Sequence, residues 1–388
     1  MRAQTREFEQ ALASDEFIFH YQPKVSFLTG RVDGAEALIR WRRADGSIVS
    51  AADFMPAATA GGFATAITRH MFPKLVEDLR RIRAAHGNTR LAFNISAEDL
   101  EETDVVGMVR HAISDDGLDA GSLEIEVTEG TAVSADPAIV RSLTGLLAAG
   151  VRLAMDDYGI GFSSLETLNR LPFSALKMDQ SFVLRMLRSP KSATLVKTSV
   201  AMAQLLGIRT VIEGIETEEV YQALLHYGCD EGQGYWISRP LPLDAYVGFL
   251  NEERRWPSSP IGMLRMAQLT HNWQLKLLVD LLYGFLKRSG AGAPNGVPEA
   301  LHIGFRDCAL GHWYYGGGCA LAGDPDFDSL EQPHRALHEL CGEILSTMQA
   351  GRDCVRIRAL LLELSERSCE MGVSLQRLET KLLLGELN

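Results

Sequence analysis

The sequence predicts an α/β protein: a (β/α)8 barrel of the TIM type, followed by an all-α four-helix bundle. Three observations carry that expectation. Short β-rich runs alternate with longer helical patterns over about the first 250 residues. Polar side chains collect at the ends of those runs, and the strand signal stops after residue 260.

In chain order the strands are expected at FIFHYQP (17–23), VDGAEALIRW (32–41), RLAFNIS (90–96), SLEIEVTE (122–129), VRLAMDD (151–157), SALKMD (174–179), RTVIEG (209–214) and a weaker GYWIS (234–238). A short turn containing Thr29 and Gly30 joins the first two, which suits an antiparallel hairpin. Between most of the others lie stretches long enough for a helix, such as ITRHMFPKLVEDLRRIRAA (67–85) and ATLVKTSVAMAQLLG (193–207). A doubly wound open sheet shares this alternation. The run ends favour the barrel: Gln22, Glu36, Arg40, Asn94, Glu126, Asp156, Asp157, Lys177, Glu213 and Gln233 lie at or near them. A barrel brings those ends to one mouth, whereas an open sheet spreads them along an edge.

The stretch NEERRWPSSP (251–260) reads as a boundary, with Ser259-Pro260 able to cap a new helix. The expected domains are residues 1–255 and 260–388. In the second, Leu375, Leu378 and Leu382 mark one apolar helix stripe, and SGAGAPNGVPEA (289–300) reads as a loop between helices of a bundle.

Composition narrows the classes of function. A net charge of -12, with no basic face to compensate, argues against nucleic acid as a partner. The first ten residues, MRAQTREFEQ, lack the apolar segment of a signal peptide, and no apolar run reaches the roughly 18 to 20 residues that span a bilayer. A cytoplasmic protein without membrane insertion is therefore expected. In that setting the six cysteines read as free thiols or metal ligands rather than disulfides.

The strand ends would gather five carboxylates, Glu36, Glu126, Asp156, Asp157 and Glu213, with Asn94 as a neutral oxygen donor. Without cations most could not stay ionised together. Hard divalent ions, magnesium or manganese, answer that charge, and the number of carboxylates suggests two. A pair of such ions suits displacement at a phosphate ester. Lys177 and Arg40 add positive charge for phosphate oxygens, while Gln22 and Gln233 could read base edges or sugar hydroxyls. Adjacent Asp156 and Asp157 would point to opposite faces of a regular strand. The glycine-containing run that follows must therefore turn Asp157 toward the shared mouth.

At this point a resemblance becomes specific. GAEALIRW carries the Glu36-Ala37-Leu38 signature of the EAL-domain cyclic di-GMP phosphodiesterases. The rest of that pattern follows in order: YQP (21–23), FNIS (93–96), EVTE (126–129), DDYGIGFSSL (156–165), LKMD (176–179), EGIET (213–217) and QGYWISRPLP (233–242). The resemblance implies hydrolysis of cyclic di-GMP to linear pGpG, with cyclic di-GMP as the small-molecule partner. It implies metal ligation by Glu36, Asn94, Glu126, Asp156, Asp157 and Glu213. Lys177 would hold or deprotonate the attacking water, Glu216 would support that network, and Glu129 would steady the loop after the double aspartate. Gln22, Arg40 and Gln233 match substrate contacts. Departures from the pattern are Tyr158, Ile160 and Phe162 in the loop, Ile212 before Glu213, and Thr59. They keep open the alternative of a catalytically silent receptor for cyclic di-GMP.

Past residue 270 lie five of the ten histidines and five of the six cysteines, which raises the prospect of a metal site there. His334 and His338, four apart, share a helix face, and zinc would complete a tetrahedron with two more ligands. Spacing alone leaves the other two open among His271, His302, Cys308, His312 and Cys319. LTHNW (269–273), RDCALGHWYYGGG (306–318) and FDSLEQPHRALH (327–338) resemble the chemoreceptor zinc-binding (CZB) domain. That resemblance implies zinc on His271, Cys308, His334 and His338. Both resemblances also imply a homodimer, and they lead to an expectation that zinc occupancy or oxidation of Cys308 regulates the barrel.

Overall fold

The computed structural model describes residues 2–134, 136–159, 168, 171–287, 304–350 and 354–384. The chain divides into two compact units, Met1–Leu224 with Cys229–Ser258, and Leu225–Gly228 with Ser259–Asn388.

The first unit is a closed barrel. Its strands are β1 (Phe17–Ser26), β2 (Val32–Arg42), β3 (Ile48–Ser50), β4 (Arg90–Asn94), β5 (Leu123–Thr128), β6 (Arg152–Tyr158), β7 (Ala175–Met178), β8 (Arg209–Ile212), β9 (Glu231–Gly232) and β10 (Leu241–Pro242). Eight of them run round in the order β1-β2-β4-β5-β6-β7-β8-β9, and β9 pairs back on β1. β1 is antiparallel to both β2 and β9, so the hairpin at Thr29-Gly30 is present, and the other barrel pairs are parallel. β3 and β10 extend β2 and β1 outside the ring.

One strand is displaced from its expected place. The eighth barrel strand is Glu231–Gly232, whereas GYWIS at 234–238 forms a turn. Gly234 explains the change. A β-carbon there would lie 2.2 Å from the Ile215 carbonyl oxygen, so the chain passes too close to Ile215 for a side chain. The amides of Ile237 and Ser238 then donate back to the Gly234 carbonyl and close the turn.

Strand parity separates two interiors. Leu91, Phe93, Ile125, Leu153, Met155 and Leu176 face outward and join the main apolar core with helix residues such as Leu75, Leu79, Leu143 and Leu146. Tyr21 follows the same outward parity and reaches Asp78 on the helix Ala64–His86. The inward parity is mostly polar, with only Ala154, Ala175 and Val211 forming a small apolar cluster. Helix starts are set locally: Asp136 caps Pro137–Ala148 and Ser189 caps Pro190–Leu205, each with proline at the first turn.

The second unit is helical in its described residues. Its longer helices are Ile261–Lys287, Glu331–Ala350 and Cys354–Leu384, with short ones at Ala309–Tyr315 and Pro325–Asp328. Ser259 Oγ accepts from the Ile261 amide at 3.2 Å, the cap expected at the boundary. Leu375 and Leu378 are buried in this unit's own core with Trp313, Leu337 and Ile344, and Leu382 packs against it.

Candidate functional site

The barrel mouth is built by inward residues toward the carboxyl ends of the parallel strands and by Gln22 within antiparallel β1. Register places Gln22 opposite Glu36, Asn94 opposite Glu126, and Thr128 opposite Asp156. At the centre stands Lys177 on β7, buried at 1% exposure. Its Nζ lies 2.6 Å from Glu126 Oε2, 2.8 Å from Glu213 Oε1, 3.1 Å from Asp156 Oδ2 and 3.4 Å from Glu36 Oε2. Asn94 Nδ2 donates to Glu36 Oε1 at 2.7 Å, which leaves its amide oxygen as a ligand atom. Gln233 Nε2 donates to Glu36 at 2.6 Å and to Glu213 at 3.2 Å.

A cavity of about 430 Å³ opens over this cluster, lined by Gln22, Glu36, Asp156, Lys177, Glu213, Glu216, Gln233 and Tyr235 among others. Gln22 donates to the Ser238 carbonyl at 3.4 Å. Arg40, further along β2, is half-buried and within electrostatic reach of Glu36 and Asp53. Glu129 is buried at the start of helix Glu129–Val133 and accepts from the Gly159 amide at 3.4 Å.

At the double aspartate the backbone is irregular, and Asp156 rather than Asp157 lines the cavity. β6 loses register with β7 between Met155 and Tyr158, and Asp157 adopts φ 58°. Its amide donates to Asp156 Oδ1 at 2.9 Å. The strand is therefore irregular where regularity would send the two carboxylates apart. Ile160 and Phe162 lie outside the described residues.

Electrostatics matches the crowding. Burial, then the neighbouring Glu36 charge, pushes Glu126 up to about 8, against the pull of Lys177 and Lys24. Burial also moves Glu213 upward despite Lys177, and it raises Asp157 with help from Asp156. For Glu36 burial is outweighed by Lys177 and Lys24, with hydrogen bonds from Gln233 and Asn94, and its carboxyl is held low. Lys177 keeps its proton well above the usual lysine range: burial opposes the charge, and four carboxylates overcome it. Glu36, Glu126 and Asp156 bring ligand oxygens within 4.8 Å of one another. An all-oxygen, acidic donor set of this kind fits hard divalent cations.

Several participants went unrecognised in the sequence. Lys24, Glu124, Arg209 and Glu231 form a second tier of charge inside the barrel, beneath the mouth. The signal was parity: Lys24 follows Gln22 by two, Glu124 precedes Glu126 by two, and Glu231 precedes Gln233 by two.

In the helical unit Cys308 Sγ lies 3.1 Å from His334 Nε2, and ligand atoms of Cys308, His334 and His338 lie within 4.8 Å of one another. His271 is 6% exposed, its ring centroid 6.3 Å from that of His334. Its Nε2 is buried with no hydrogen-bond partner among the described residues. Burial, then the charge of His338, lowers His271 to about 4 and His334 to about 3, so both are neutral and able to ligate at neutral pH. Cys308 caps helix Ala309–Tyr315, accepting from the Gly311 amide at 3.3 Å. Burial raises its thiol above the usual range while the Gly311 and Leu310 amides pull the other way. Sulfur, imidazole and an orphaned buried nitrogen fit zinc. Of the rivals, exposed Cys319 donates to the Tyr314 carbonyl. His302 and the side chain of His312 lie outside the described residues.

Fold and site together define a barrel protein with an acidic, lysine-centred mouth joined to a helical thiol–imidazole unit. Residues 5–240 match the model of the EAL domain, and residues 281–345 match that of the chemoreceptor zinc-binding domain. The chain belongs to the EAL-domain family. It is 37% identical over 262 residues to the cyclic di-GMP phosphodiesterase NbdA of Pseudomonas aeruginosa, covering 67% of this chain and 34% of that relative. The cyclic di-GMP phosphodiesterase RocR of the same organism is 31% identical, covering 62% of this chain and 61% of that relative. A solved structure titled PaMucR phosphodiesterase in complex with c-di-GMP aligns with TM-score 0.60 and 32% identity, over 63% of this chain and 99% of that one. The chain spans about a third of the length of the first curated relatives it matches.

Proposed function

We propose that the barrel hydrolyses cyclic di-GMP to linear pGpG by attack of water on one phosphodiester. The observation that carries this reading is the convergence of Glu36, Glu126, Asp156 and Glu213 on Lys177 beneath a cavity of about 430 Å³. Relatives named as cyclic di-GMP phosphodiesterases support it. Glu36, Asn94, Glu126, Asp156, Asp157 and Glu213 would hold two magnesium or manganese ions. Such ions supply charge neutralisation at phosphate and a more acidic bound water. Lys177, held in its charged form, is suited to hold the attacking water and to stabilise phosphate charge rather than to accept a proton. Glu216 borders the same cavity and supports that network, while Glu129 steadies the segment at Gly159. Gln22, Arg40 and Gln233 contact the nucleotide.

Incubation with cyclic di-GMP and magnesium or manganese, followed by chromatography, tests the reading. Production of pGpG that stops with chelator, or with Lys177→Met, is expected. Tight nucleotide binding without pGpG would make the barrel a receptor instead.

In the same reading the C-terminal unit binds one zinc through His271, Cys308, His334 and His338, and zinc release or Cys308 oxidation alters turnover. The closeness of Cys308, His334 and His338 supports it. Equal turnover in zinc-loaded, stripped and Cys308→Ser protein would remove the regulatory part. The protein is proposed to act in the cytoplasm as a homodimer. Exposed Val355, Leu362, Val373 and Leu383 on helix Cys354–Leu384 offer apolar surface for self-association. No described helix is long and apolar enough to cross a membrane.

A further inference from the structure

We infer that Lys24 is a positioning residue for the metal site, binding one oxygen of Glu126 so that the other is presented to the cation. The inference rests on the metal-dependent reading of the barrel mouth proposed above. β1 alternates, so Lys24 points into the barrel one inward position below Gln22, and it is 3% exposed. Its Nζ donates to Glu126 Oε1 at 2.8 Å and lies 3.6 Å from Glu124 Oε1.

Glu126 is fully buried and held between two lysines, one on each oxygen. Lys177 takes Oε2 at 2.6 Å, Lys24 takes Oε1. The two lysines differ in access. Lys177 borders the cavity and is shared with Glu36, Asp156 and Glu213. Lys24 is absent from the cavity lining, and its ion pairs are with Glu126 and Glu124. A cation entering from the cavity therefore competes with Lys177 for carboxylate oxygens and leaves Lys24 in place beneath. Two consequences follow. Glu126 becomes a one-oxygen ligand of set direction, and its negative charge stays matched in a barrel interior that excludes water.

Lys24 is itself anchored from below. Glu124 pairs with Arg209, Arg209 pairs with Glu231, and Glu231 pairs with Arg90 at 2.7 Å. A charged ladder with alternating signs thus reaches from the metal-facing carboxylate toward the opposite end of the barrel. Partners that orient a ligand in this way control metal affinity about 10–100-fold.

The test is direct Mn²⁺ binding to the full chain without nucleotide, read from the electron paramagnetic resonance of free Mn²⁺, with the C-terminal unit kept zinc-loaded. Lys24→Met is expected to weaken Mn²⁺ binding by about 10–100-fold. Lys24→Arg, which keeps the charge, should hold the loss to a few-fold, and Glu124→Gln, which leaves the Glu126 contact, should do likewise. Circular dichroism checks each fold, and Lys24→Gln serves in place of the methionine variant if that one does not fold. Binding by Lys24→Met equal to that of the unaltered chain overturns the assignment. So does an equal loss in Lys24→Met and Glu124→Gln. Absence of Mn²⁺ binding by the unaltered chain overturns the metal reading and this inference with it, an outcome distinct from the other two.

Discussion

Lys177 is a cation placed where four carboxylates need one. Breaking a buried ion pair by removing one partner costs about 3–5 kcal/mol. Lys177→Met should therefore destabilise the chelator-treated protein by that order, and added magnesium should recover part of the loss. Calorimetric melts with and without magnesium measure both effects. Crowding also sets a pH dependence. Glu126, raised from an ordinary 4.5 to about 8, binds its proton more tightly folded than unfolded. The stability that this carboxyl contributes to the metal-free barrel therefore falls as pH rises from about 4.5 through about 8, while the lowered His271 and His334 act in the opposite direction below about 6.5. Glu213, shifted in the same direction, adds to the trend. Denaturation in chelator at pH 6, 7 and 8 should show that decline, and saturating metal should flatten it, because cations favour the ionised carboxylates. A stability that rises across this range without metal would contradict the electrostatic account.

Among the elements, two breaks in regular structure matter most. The shift in β6 turns Asp157 into the left-handed region, and the approach of Gly234 to Ile215 ends β9 early. Gly234→Ala forces a β-carbon against the backbone between Glu213 and Glu216. It should cost about 1–3 kcal/mol by overpacking and reduce turnover by displacing both glutamates. Melting and pGpG production read the two effects separately. In the helical unit, the cap position gives Cys308 helix amides without making it a thiolate, because burial outweighs them. Zinc uptake near pH 7 should release about one proton, from that thiol, since buried His271 and His334 are already neutral. Calorimetry in buffers of different ionisation enthalpy counts the proton, and Cys308→Ser should abolish the release along with tight zinc binding.

For the molecule as a whole, the barrel carries two different interiors. Outside the strands lies an ordinary apolar core, with residues such as Phe93, Ile125 and Leu153 against the helices. Inside lies a polar column from Glu231 and Arg209 up to Lys177 and Glu213. That division explains why so many site residues were readable. Inward positions at strand ends had to be polar, and polar residues within apolar runs stand out. The lower tier was less visible because Glu124 and Glu231, read singly, look like ordinary surface carboxylates on strands. Closure of the sheet brings Glu124 to Lys24 and Arg209, while Glu231 meets Arg209 from the neighbouring strand.

Side-chain patterning along the chain was enough to give the alternation of strands and helices, the break near residue 260, the polar strand ends and the spacing of His334 and His338. These are local or periodic properties, set by side-chain patterning and caps. Tertiary contacts supplied the turn at GYWIS, the left-handed φ of Asp157, the distances among Cys308, His334 and His338, and Lys24 beneath Glu126. Each depends on which distant segments come into contact. Gly234 must meet Ile215 to form its turn, and Lys24 must cross the barrel from β1 to β5, a separation no local pattern encodes.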